Sequence, residues 1–209
     1  MARKLYRSPK LVGNEILFRS VADRKAISEL LLGPAKYLDY LDAYREGAKA
    51  LYRRAARRKR VDRGTYLPIA YLWRHYLEIT MKSILDRLCG DDDSKRQLVW
   101  DKHDLERLWA RVSKAFEGIW PFYEPGEHAR ARALILQFHT LDRLSFGFRY
   151  PVNKDGTTPT LAADLRSIDL VDLHRGMCKL SEILERALDA TDDWDERLTN
   201  GLATPRGIV

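Results

Sequence analysis

Residues 66–89 read YLPIAYLWRHYLEITMKSILDRLC, and this stretch decides the fold. Its apolar residues recur at steps of three and four along two sides of a helix. Leu67, Ala70, Leu77, Met81, Ile84 and Leu88 make one side, and Ile69, Trp73, Tyr76 and Ile79 make the other. A helix with so wide an apolar surface must be covered from several directions, so it is expected at the centre of the molecule. Thr65 is placed to cap its start, Pro68 suits a first turn that has no N–H to satisfy, and Gly90 follows its end.

Working outward, Leu38, Leu41, Tyr44, Ala48, Leu51 and Ala55 put an apolar face on a helix over residues 35–60. Downstream, Leu105, Leu108, Trp109, Val112 and Phe116 predict a helix opening near Asp101, with Asp101 or His103 as its cap. Pro121, Pro125 and Gly126 break the chain before a helix over about 127–144. Leu170, Leu173, Met177, Leu180, Leu184 and Leu188 mark the last one, over about 169–197. The fold expected is all-α: an up-and-down bundle of about five main helices, with an irregular insert near 145–167 that is too long for a simple turn. Residues 1–33 read as an N-terminal arm in which 15–19 fit a short strand, residues 34–198 as the helical domain, and 199–209 as a tail. No block repeats at the spacing of a solenoid.

The apolar runs are far shorter than the ~20 residues that cross a bilayer, and no signal-peptide pattern follows the basic residues Arg3, Lys4, Arg7 and Lys10. A cytoplasmic protein without membrane contact is therefore expected. Cys89 and Cys178 are far apart and neither sits in a Cys-x-x-Cys pair, so both read as free thiols. His75, His103, His128, His139 and His174 include no i to i+4 pair, so no metal and no cofactor is expected. The net charge is +7, and it is concentrated. Arg53, Arg54, Arg57, Arg58, Lys59, Arg60 and Arg63 face only Asp62, so +6 of that charge falls within eleven residues. Such a block either decorates a solvated helix end or attracts phosphate backbones in a salt-dependent way. The aromatic set of Trp73, Trp100, Trp109, Trp120, Phe122 and Tyr123 reads as packing.

The central helix also carries chemistry. Arg74, Glu78 and Lys82 stand at i, i+4 and i+8, with His75 beside them. The stripe is either an ion ladder on a solvated face or the lining of a polar cleft able to hold a phosphate or a nucleobase.

The pattern Arg-His-x-x-Glu-x-x-x-Lys from Arg74 to Lys82, followed by His103-Asp104-Leu105, resembles the second helix and the "His-Asp-Leu" of HEPN domains. Asp142-Arg-Leu-Ser-Phe-Gly-Phe-Arg149-Tyr150-Pro151 is similar to a segment of uncharacterised HEPN-like bacterial proteins. The similarity covers residues 71–156. It implies a helical bundle that commonly forms homodimers, an association with RNA or a nucleotide, a cognate partner protein, and a role in defence or toxin–antitoxin systems. In catalytic members it implies a metal-independent endoribonuclease, in which an Arg-x(4–6)-His pair neutralises the scissile phosphate and moves a proton from the ribose hydroxyl. No His follows Arg149 within that reach, whereas Arg132 and His139 have six residues between them. The expected catalytic residues are thus Arg149 and Arg74 at the phosphate, His75 or His139 (the latter paired with Arg132) as proton carrier, and Glu78 orienting its neighbours. Arg53, Arg54, Arg57, Arg58, Lys59, Arg60, Lys82 and His103 are expected to contact nucleic acid. The alternative is a non-catalytic interaction domain in which the stripe is structural.

Overall fold

The computed structural model describes residues 36–58, 64–88, 103–116, 125–143, 145–161 and 167–199. The arm over 1–33, the tail beyond Thr199, Cys89, and Lys59, Arg60 and Arg63 of the basic block lie outside the described residues. Among the described residues five helices follow in order: α1 Lys36–Ala56, α2 Tyr66–Leu88, α3 Leu105–Phe116, α4 Pro125–Leu141 and α5 Leu170–Thr199. The all-α bundle is what the periodicity predicts. No described helix is long and apolar enough to cross a membrane.

Three boundaries differ from expectation, each for a local reason. Helix α3 starts at Leu105, and its cap is Asp104, whose Oδ1 accepts the Arg107 N–H at 3.0 Å; His103 does not have that role, and Asp101 lies outside the described residues. Pro125, read above as a breaker, begins α4, where its missing N–H costs nothing. Helix α1 stops at Ala56, and Gly64, at φ 84°, supplies the left-handed backbone that turns the chain back into α2.

Helix α2 is the axis of the molecule, packing against α1, α3 and α5. Ile69, Trp73, Leu77, Met81 and Ile84 are all fully buried there, around both sides of the helix. Helix α4 closes the bundle against α3 and α5. At the rim, Arg45 of α1 pairs with Glu185 of α5, and the Tyr76 hydroxyl donates to the same carboxylate at 3.3 Å.

The insert after α4 is organised by Asp142. Its buried carboxylate accepts the N–H groups of Phe146 and Gly147, both at 2.8 Å. Ser145, at φ 62°, takes a conformation that L-residues adopt at a cost of about 1–2 kcal/mol, and the turn holds it there. A single antiparallel bridge, Val152 to Pro159, closes the outer part of the insert.

Because Leu77 lies in the shared core of α2, Leu77→Ala should cost about 2–5 kcal/mol. In a chain of this size that lowers Tm by about 2–4 °C per kcal/mol, which a thermal melt followed by circular dichroism checks.

Candidate functional site

Two groups of polar side chains meet on α2, and the structure treats them differently. Arg74, Glu78 and Lys82 are 0%, 3% and 2% exposed, so the ladder does not lie on a solvated face. Arg74 Nη1 donates to Glu78 Oε2 at 3.0 Å, and Lys82 Nζ donates to Glu78 Oε1 at 2.8 Å. The second terminal nitrogen of Arg74, Nη2, donates to the carbonyl of His103 at 2.6 Å, and the His103 ring Nδ1 stands 2.7 Å from Glu78 Oε1. Arg74 Nε reaches toward the carbonyl of Asp142 at 3.5 Å. One carboxylate thus gathers two cations and an imidazole, and Arg74 ties α2 to the start of α3 and to the end of α4.

Burial alone would raise the Glu78 carboxyl. The hydrogen bond and charge of Lys82, then the charge of Arg74 and the bond from His103, outweigh it and hold the group below the usual carboxylate range. Burial also pulls the Arg74 guanidinium down, with Glu78 and Asp142 opposing. These charges satisfy one another inside the protein, and Arg74 and Lys82 present no free face to a phosphate.

The second group faces outward. His75, on the same turn as Arg74 but rotated toward α1, is half-buried between Tyr44 and Tyr71, with ring centroids 4.5 and 5.7 Å away. Burial lowers its pKa, and although Glu78 opposes this, Arg74, Arg149 and Lys82 lower it further. Arg149 also approaches Tyr71, its Cζ 6.0 Å from that ring, 5.2 Å from Phe146 and 5.6 Å from Tyr150. Its Nε donates to the Ser145 carbonyl at 2.7 Å, which fixes the plane of the guanidinium while the residue remains exposed. At the two ends of this arrangement Tyr40 stacks on Tyr44 at 6.3 Å, and Lys154 Nζ lies 5.5 Å from Phe146.

The result is a continuous row of rings and cations across α1, α2 and the insert: Tyr40, Tyr44, His75, Tyr71, Arg149 and Tyr150, with Phe146 and Lys154 alongside. Tyr40 and Tyr150 are about half exposed, at 46% and 52%. A cavity of about 280 Å³ opens beside the row, lined by Tyr66, Leu67, Phe148, Arg149, Tyr150 and Pro151 among others. Arg53, Arg54, Arg57 and Arg58 are exposed on the last turns of α1 and the residues after it, which lead through Gly64 into Tyr66 at that cavity.

His75 and Arg149 each lie near the Tyr71 ring, while Arg74, Glu78 and Lys82 are buried beneath. Arg132 is exposed on α4, and His139 turns inward, its Nδ1 3.4 Å from Asp104 Oδ1 and its Nε2 3.4 Å from Glu106 Oε2. The structure shows no contact that brings Arg132 and His139 together. His103 has an exposed ring, but its Nδ1 is engaged by Glu78. Tyr40, Tyr44, Tyr71, Phe146, Tyr150 and Lys154 were missed by sequence reasoning. The i, i+4 spacings of Tyr40 with Tyr44 and of Tyr71 with His75 were the available signal.

No family model, curated protein or solved structure matches the chain, so its function has to be read from these residues.

Glu78→Gln leaves Arg74 and Lys82 buried without a countercharge and should cost roughly 3–5 kcal/mol. The folded-state pKa of Glu78 is depressed, so its contribution is complete above the unfolded carboxyl value of about 4.3 and is lost as pH falls through the lower folded value. Denaturant melts between pH 7 and pH 3 should show wild-type stability falling in that acid window, and a shallower fall in Glu78→Gln.

Proposed function

We propose that this protein binds single-stranded RNA along the row from Tyr40 to Tyr150, with Arg149 between Tyr71 and Tyr150. The observation that carries this reading is the state of Arg149: a guanidinium fixed by the Ser145 carbonyl, framed by three aromatic rings and open to solvent. Exposed rings interleaved with cations suit unpaired bases, because any base offers a face to stack on and a guanidinium both stacks and pairs with phosphate. The exposed arginines ending α1 extend the positive surface that a strand would follow. The resemblance of residues 71–156 to HEPN domains supports RNA or a nucleotide as ligand, and assembly of two copies fits the same resemblance.

Endoribonuclease activity is the sharper form of the proposal. Burial, then the charges of Arg74 and Arg149, lower the His75 pKa against the opposing Glu78, which favours the neutral imidazole that can accept a proton from a ribose 2′-hydroxyl. Arg149 would neutralise the phosphate at the cleavage point. Both groups lie near the Tyr71 ring, which puts the proton carrier and the phosphate-binding cation beside one aromatic surface. A non-catalytic binding domain is the second reading, favoured by the internal use of Arg74, Glu78 and Lys82, which leaves one guanidinium rather than two at the exposed site.

The test incubates the purified protein with total RNA and a fluorescent oligonucleotide in EDTA, across a salt series. Wild type should retain the oligonucleotide, with an affinity that falls steeply with salt. Arg149→Ala should weaken it at least tenfold, and Arg149→Lys should recover only part, since an ammonium lacks the planar stack. Cleavage by wild type but not by His75→Asn selects the enzyme; intact RNA with Arg149-dependent retention selects the binder. Equal retention by wild type and Arg149→Ala removes the proposed site.

A further inference from the structure

Helices α2, α4 and α5 and the insert border a second cavity, of about 330 Å³, and no residue of the aromatic row lines it. Its floor is apolar and closed to water: Ala70, Phe138, Phe148 and Met177 are each at most 7% exposed, and the two phenylalanine rings meet edge to face with centroids 6.2 Å apart. Leu134 and Leu173 form half-buried sides. Gly176 helps to keep the space open, because a Cβ there would crowd Leu134 Cδ2 at 3.3 Å. Protein interiors are packed so that voids larger than a water molecule are few, and this one could hold several waters against walls that offer them few hydrogen bonds.

The mouth differs in kind. Gln137, Asp169 and Asp172 line it and are exposed. Asp169 Oδ1 accepts the N–H groups of Val171 at 2.7 Å and Asp172 at 3.1 Å, so these amides at the start of α5 are answered from within and do not call for an outside anion. Asp172 Oδ1 has Arg175 Nη1 at 3.3 Å, a contact between two exposed side chains that contributes little in water. Two carboxylates and one cation leave the mouth negative on a chain whose net charge is +7.

We propose that this cavity binds a small primary amine with an aromatic body, the ring against Phe138 and Phe148 and the ammonium at Asp169 and Asp172. Burying the ring removes apolar surface from water and extends the edge-to-face pair. The ammonium stays at the wet rim, where it meets opposite charge without being desolvated. A carboxylate ligand of the same shape is repelled there, and a neutral one gains nothing from the rim. The volume lies at the lower end of small-molecule sites, which begin near about 300 Å³. Phe148 also lines the cavity beside Arg149, so the two cavities share a wall.

This site does not rest on the RNA reading, and its test contains no RNA. The full chain, carrying ¹³C in its methionine methyls, is titrated with 4-phenylbutylamine, with 4-phenylbutanol and with 4-phenylbutyrate, and followed by NMR. Met177 lines the cavity and Met81, buried in the core, does not, so the one reports occupancy and the other serves as control; Met177→Leu assigns the signal. The amine should shift the Met177 signal saturably, with Kd on the order of 1 mM or tighter, while Met81 stays in place. Affinity should be about fivefold higher for the amine than for the alcohol and at least tenfold higher than for the acid. Asp172→Asn, at an exposed position, should reduce the preference for amine over alcohol at least twofold, and Leu173→Trp, which fills the cavity from its side, should abolish the Met177 shift. No saturable shift at Met177, an acid that binds as tightly as the amine, a preference unaltered in Asp172→Asn, or undiminished binding in a folded Leu173→Trp overturns the proposal; if Leu173→Trp does not fold, Asp172→Asn decides.

Discussion

The molecule is organised around one buried carboxylate. Glu78 sits on the central helix with almost no access to water, and a charge in that position is tolerated only when every lone pair is engaged. Arg74 and Lys82, one turn to either side, supply the cations, and His103 arrives from the segment leading into α3. The consequence is positional. Arg74 spends its remaining donors on the carbonyls of His103 and Asp142, so the same guanidinium that neutralises Glu78 also fixes where α3 begins and where the chain leaves α4.

From Asp142 the constraint passes to the surface. Its carboxylate gathers the amides of Phe146 and Gly147, the turn forces Ser145 into the left-handed region, and the Ser145 carbonyl then holds Arg149. An exposed arginine normally samples many rotamers at little cost. Here its stem is bonded to the turn and its head is boxed by rings, so much of the entropy lost on binding an anion is lost already on folding. The buried layer and the exposed row are thus two parts of one arrangement, the inner one closed to water and the outer one open to it.

The bundle was legible in the sequence because burial leaves a periodic trace. Residues 66–89 show apolar positions on two sides, and a helix so patterned has to be central. The ion ladder was legible as a spacing but not as an environment: periodicity places Arg74, Glu78 and Lys82 on one stripe, yet whether water reaches that stripe depends on α3 and on the turn after α4, which pack there from far along the chain. The exposed row was harder to see for a similar reason. Tyr44, Tyr71 and Tyr150 occupy three different elements, and a surface tyrosine leaves the same mark in a sequence as a tyrosine that caps a core. Arg149 stood out because the segment from Asp142 to Pro151 resembles one in HEPN-like proteins. His139 was noticed for its distance from Arg132, whereas its surroundings come from Asp104 and Glu106 on the neighbouring helix.

The outer part of the insert is closed on itself. The Asp155 carboxylate takes the amides of Thr157 and Thr158 and the Thr158 hydroxyl, which hold its pKa at about 2, and Gly156 supplies the positive φ of 73° that the turn requires. The bridge between Val152 and Pro159 separates this tip from the turn that holds Arg149. Lys154 of the tip nevertheless reaches back to the Phe146 ring, so the tip touches one edge of the aromatic row. A change of length between Asp155 and Pro159 would thus be felt at Lys154 and Phe146, at the margin of the surface, while the buried carboxylates and their cations stay as they are.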